Sequence, residues 1–251
     1  MPLDASLQSR LGALLAKVRM VLEPEGDGFA ITYEKTRLHL DALPLDGLDP
    51  DAEAAELLAV AAGLEAAVKY PGELAPGEPL RDGAAPLLPK LERRRWVDAY
   101  DLAALAQGKG PEHRVAWRDF GAGLVTVFVH DAGWRFDTVV AGRAAAWDTT
   151  LDTLQAIARS NLYARAALDH RARALALGDG YDAARATLIS DVFYDRLGPA
   201  GLTLAIPGRD LLLVGPDLDP AAVRAAYAAA AYPLSPALFR FAGHQLHPAS
   251  S

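Results

Sequence analysis

LVTVFVHDAGWRFDTVV, residues 124–140, and WDTTLDTLQAIARSNL, residues 147–162, together decide the fold class. The first stretch alternates around Asp131-Ala132-Gly133, a three-residue hairpin loop with Gly where φ > 0 is required. In that register His130 faces Trp134, Phe128 faces Phe136, Thr126 faces Thr138 and Leu124 faces Val140. The other face carries Val125, Val127, Val129 and Val139, broken only by Arg135 and Asp137. A strand apolar on both faces predicts a central strand covered twice. Arg135 and Asp137 then each need a partner, because an isolated buried charge is strongly disfavoured.

The second stretch has the period of a helix. Thr149 is the expected cap, with Asp152 completing a weak capping box. Leu151, Leu154, Ala158 and Leu162 form the buried stripe. Asn161 falls on the same stripe, and a buried Asn is expected to bond a neighbouring backbone rather than a ligand.

The 251 residues suffice for a large core, and 51% of them are hydrophobic, which excludes general disorder. With 25 basic and 32 acidic residues the formal charge is −7, so duplex nucleic acid is not an expected partner. The absence of cysteine removes disulfides, thiol catalysis and Cys-ligated metals. The opening MPLDASLQSRLGALLAKVRM carries internal charges and no cleavage pattern, and no apolar run is long enough to span a membrane. A cytoplasmic protein is the expectation.

From the N-terminus, Leu7, Leu11, Leu14, Leu15 and Val18 predict a helix from Ala5 to about Leu22. Phe29, Ile31 and Tyr33, then Leu38 and Leu40, predict a hairpin. A helix opened by Asp49-Pro50 runs to about Tyr70. Residues 71–89, PGELAPGEPLRDGAAPLLP, read as a linker between an N-terminal lobe (1–70) and a C-terminal α+β domain (90–251). Lys90, Arg93, Arg94 and Arg95 beside Trp96 are expected to be a solvated basic face with one packed aromatic. A short helix at Val97–Gln107 follows. Beyond the central helix, residues 174–177 suggest a short strand and Tyr181–Arg196 a helix. Residues 202–206 and 211–214 are two strands joined by Pro207-Gly208-Arg209-Asp210. Asp219-Pro220 opens an Ala-rich helix, residues 238–243 make a last strand, and the tail is expected to be loose. The fold class is α+β, mainly antiparallel sheets with amphipathic helices, in an order that allows two α-β-β-α units.

Gly178-x-Gly180-x-x-Ala183 satisfies a dinucleotide fingerprint on paper. Asp179 would repel phosphate, and the strands that follow do not make a βαβ unit, so a capped turn is the expected reading. His130, Asp131 and Asp137, or His244 and His247, lack a recognised metal-ligand spacing. No nucleophile elbow, phosphate loop or zinc-protease motif is present.

LLPKLERRRW (87–96), the helix 147–162, GDGYDAARATLI (178–189) and LAIPGRDLLLV (204–214) resemble, in that order, segments of the YtpQ-like family, bacterial proteins of unknown function. The resemblance rests on Trp147, Leu154, Ala158, Asn161, Leu162, Gly180, Tyr181, Pro207, Arg209 and Asp210. It implies a cytosolic protein and supplies no activity.

Two functions compete. One is a non-enzymatic adaptor or chaperone-like module offering a face to a protein partner. The other is a hydrolase or nucleotide-processing enzyme using Arg135, Asp137, Arg209 and Asp210. The candidate polar cluster is Arg135, Asp137, Asn161, Tyr181, Arg209 and Asp210. No catalytic residue, cofactor or metal is specified, and the sequence fixes no oligomeric state.

Overall fold

A computed structural model describes residues 5–48, 53–73, 86–131, 136–165, 172–189, 202–242 and 245–249. The chain forms two compact units, interleaved along the sequence: Met1–Gly77, Arg93–Ala116 and Trp134–Thr149 make the first, and Glu78–Glu92, Trp117–Gly133 and Thr150–Ser251 the second. The expected boundaries at 70 and 90 follow chain order, whereas these units exchange segments. The α+β class holds, with mainly antiparallel sheets.

In the first unit, α1 (Ala5–Lys17) buries Leu11 and Leu15 completely. It ends earlier than its periodicity suggests, because residues 21–25 form a strand. The expected hairpin is therefore a three-stranded meander, β1 (Val21–Glu25), β2 (Gly28–Tyr33) and β3 (Thr36–Leu40). Helix α2 (Glu53–Lys69) lies against α3 (Arg94–Ala106). Their approach is so close that a Cβ on Gly63 would clash with the Trp96 carbonyl. Trp96 stacks on Tyr100, ring centroids 5.5 Å apart. Strand β7 (Phe136–Thr138) and the short helix α4 (Ala141–Ala146) complete this unit.

Tyr100 is 1% exposed, and its hydroxyl accepts the Gly72 N–H at 2.6 Å. Burial pushes its pKa from 10.0 up to about 12. The phenol is thus favoured in the fold, and its contribution is complete below the unfolded value of 10.0 and lost as pH rises towards about 12. Tyr100→Phe should cost about 1–2 kcal/mol, the amide being left without its acceptor. Denaturation midpoints across that alkaline window should fall less steeply in the variant than in the parent.

The second unit holds two sheets. One has the order β4-β6-β5: β4 (Leu87–Arg93), β5 (Trp117–Gly121) and β6 (Leu124–Asp131). The other has the order β12-β11-β9-β10-β8: β8 (Ala174–Leu175), β9 (Leu202–Gly208), β10 (Leu211–Gly215), β11 (Leu238–Ala242) and β12 (Gln245–Pro248). This five-stranded arrangement differs from a second α-β-β-α unit. Helix α5 (Leu151–Arg165), a 3-10 turn at Ala183–Leu188 and helix α6 (Pro220–Ala229) complete it. Leu91, Val129, Leu162, Tyr181, Leu204 and Phe239 belong to one shared core.

Strand β6 is buried at every position, as a doubly covered strand should be. The expected turn at 132–135 lies outside the described residues. At its start β6 pairs with β5, Leu124 against Gly121, and a tight turn joins the two strands. Ala122 (φ 51) and Gly123 (φ 75) form a two-residue loop with both φ positive, closing a β5–β6 hairpin. Ala is strained there, so Ala122→Asn should raise stability by about 0.5–1 kcal/mol, read from the melting midpoint.

Helix α5 begins one residue later than expected. Thr150 Oγ1 accepts the Thr153 N–H at 3.2 Å, so Thr150 is the cap. Leu154, Ala158 and Leu162 are fully buried, but Leu151 is 41% exposed and off the core stripe. The Asp219 cap accepts the N–H groups of Ala221 and Ala222, ahead of Pro220 in the first turn. The tail expected to be loose pairs with β11 as β12.

Candidate functional site

Strand β4 is the main correction to the sequence reading. Leu87–Pro89, the end of the expected linker, and KLER, half of the expected basic face, form one strand buried at every residue. The period of two puts Lys90 and Glu92 on one face. Glu92 is 1% exposed and receives Arg209 Nη2 at 2.9 Å, with Lys90 Nζ at 3.6 Å.

Arg209 is aimed at Glu92 by its turn. Gly208 bridges Pro233, and the Arg209 N–H donates to the Tyr232 carbonyl at 3.1 Å. A Cβ on Gly208 would sit 2.8 Å from that of Ala230, so this approach needs glycine. The pairing brings Tyr232 beneath the guanidinium, 3.5 Å from ring centroid to Cζ. Burial opposes the charge on Arg209, but Glu92, with Tyr232 and Asp210, more than offsets it, so the pKa is raised. Burial, with the neighbouring Arg209 charge, pulls Lys90 down to about 8. Burial and Glu92 push the Tyr232 phenol well up.

A second group lies in the same unit, reached through Asp131, whose charge acts on Lys90, and through the Ala183 N–H, which donates to the Arg209 carbonyl at 2.9 Å. Positive φ at Gly178 and Gly180 folds the loop so that Asp182 accepts the Gly178 N–H and Asp179 accepts the Tyr181 N–H. Arg185, fully buried, holds Asp179 through both terminal nitrogens at 2.8 and 2.7 Å, and Asp182 at 3.0 Å. The Arg185 hydrogen bonds keep the Asp179 carboxyl below its usual range. Arg165 bridges to Asp131 at 2.9 Å and Asp179 at 3.5 Å, with its guanidinium 4.8 Å from the Tyr181 ring. Burial and Asp131 raise the Tyr181 phenol. Four cations, Lys90, Arg165, Arg185 and Arg209, thus meet four carboxylates, Glu92, Asp131, Asp179 and Asp182.

Of the residues singled out from sequence, Tyr181 and Arg209 belong to these groups. Asn161 donates to the Leu87 carbonyl of β4 at 2.9 Å, the backbone bond expected of it. Asp210 is exposed in the turn. Asp137 is half-buried in β7 of the first unit. Arg135 and His244 lie outside the described residues. The glycine loop is a capped turn as expected, followed by a 3-10 turn rather than an α-helix. Among the described residues, no three His, Asp or Glu side chains are placed to hold a metal.

Lys90, Glu92, Asp182, Arg185 and Tyr232 were not legible as site residues. The one local hint is the Lys-x-Glu alternation of a strand, which the neighbouring arginines mask.

No family model, no curated protein and no solved structure matches this chain. The fold defines it as an α+β protein, and no described helix is long and apolar enough to cross a membrane.

Proposed function

We propose that this is a non-enzymatic protein-binding module of the bacterial cytoplasm, akin to the YtpQ-like proteins. The observation that carries this reading is that three of the six polar residues singled out from the sequence are taken up inside the chain. Arg209 is held by Glu92 and Tyr232, and Asn161 by the Leu87 carbonyl. Tyr181 is fully buried. The kinship rests on the four sequence stretches that resemble that family.

The surface that suits a partner is the outer face of α5. Ala156, Arg159, Ser160 and Tyr163, spaced as one helical stripe, line a hollow of about 420 Å³ with Leu188. Tyr163 is 57% exposed. Tyr and Arg beside a depression are the anchors that interfaces favour. A photo-crosslinking residue at Tyr163 should give a discrete adduct with another polypeptide in cells. An adduct pattern no different from that of the exposed control position Asp217 would overturn the proposal.

A further inference from the structure

The first unit carries a separate hollow of about 340 Å³ at the end of α3. Its shape follows from a helix stop. Gly108 (φ 74) lets the chain reverse, with the Gly108 N–H donating to the Leu105 carbonyl and the Lys109 N–H to the Ala104 carbonyl. The returning chain passes through the 3-10 turn Pro111–His113 and reaches Arg114. The hollow is therefore lined by Asp98, Asp101, Leu102 and Leu105 from the helix and by Lys109 and Arg114 from the return.

The charges there are unevenly engaged. Asp98 is held by Arg94 at 2.9 Å. Asp101 accepts the Val115 N–H through Oδ1, leaving Oδ2 available, and burial raises its pKa. Lys109 is half-buried; burial lowers its pKa, and among the described residues no carboxylate lies within ion-pair distance. Arg114 acts on Asp101 only at longer range. A half-buried ammonium with no carboxylate at ion-pair distance among the described residues favours an incoming anion. Beside it are a carboxylate oxygen able to take an ammonium and Leu105, 65% exposed.

We propose that this hollow binds a small zwitterion with an apolar tail, a free α-amino acid in chemical class. Lys109 and Arg114 take its carboxylate, Asp101 its ammonium and the leucines its side chain. The site lies in the first unit and does not depend on the α5 reading.

Calorimetric titration of the full chain with L-leucine, 4-methylpentanoate and 3-methylbutylamine tests it. Leucine should bind saturably, with each compound lacking one charged group weaker by roughly tenfold or more. Lys109→Ala should weaken leucine by a similar factor without shifting the melting midpoint. Asp101→Asn should abolish the preference for leucine over 4-methylpentanoate. No binding of leucine, equal binding of all three compounds, or unchanged leucine affinity in Lys109→Ala would overturn the proposal.

Discussion

Glu92→Ala should destabilise the protein by about 3–5 kcal/mol in urea denaturation at neutral pH, the cost of stranding buried charge. Removing this carboxylate leaves both Arg209 and Lys90 without their shared counter-charge in the core of the second unit. Lys90 is already disfavoured there by burial. Its charged form is penalised while pH lies below about 8, and the penalty is relieved as pH rises towards the unfolded value of 10.5. Losing Glu92 removes an attraction that holds Lys90 up, so this rise in stability above neutral pH should be steeper in the variant. A loss below about 1 kcal/mol would mean that Glu92 behaves like an ordinary surface carboxylate.

Arg185→Met should be of similar size, about 3–5 kcal/mol. Arg185 and Asp182 are both fully buried, and the guanidinium also makes a two-pronged contact to Asp179. Methionine fills the volume but leaves a buried carboxylate without its partner. The acid limb of the stability curve provides a second readout. The Asp179 carboxyl is lowered in the fold, so its contribution is present above the unfolded value of 3.8 and lost as pH falls below it. That part of the acid dependence should flatten in Arg185→Met. A variant as stable as the parent would show that the loop 178–182 is held by its backbone turns alone.

What the sequence disclosed follows a physical pattern. The stripe Leu154, Ala158 and Leu162, the strands β9 and β10, and the Asp219-Pro220 helix start are local signals, and each is found where expected. Of the strands that escaped, β1, β4 and β12 contain Pro24, Pro89 and Pro248 and lie at the edges of their sheets, whereas β5, also at an edge, is a five-residue strand without proline. Proline weakens a strand pattern in the sequence, yet an edge tolerates it because one side of the backbone needs no ladder bond. The site is hidden for a different reason. Arg209 and Glu92 are 117 residues apart, and nothing local distinguishes a carboxylate that will meet a distant guanidinium from one that will face water. Residues 90–95 read as a solvated basic run because four of the six are cationic, whereas Lys90, Glu92 and Arg93 are buried.

We propose that Arg209 and Glu92 are a structural pair rather than part of a reacting centre. A double-mutant cycle of Glu92→Gln and Arg209→Met, read by urea denaturation, tests it most directly. A coupling of about 2 kcal/mol or more is expected, with Arg209→Met alone clearly destabilising. A coupling below about 0.5 kcal/mol, with Arg209→Met as stable as the parent, would contradict it and return the guanidinium to the list of groups available for a ligand.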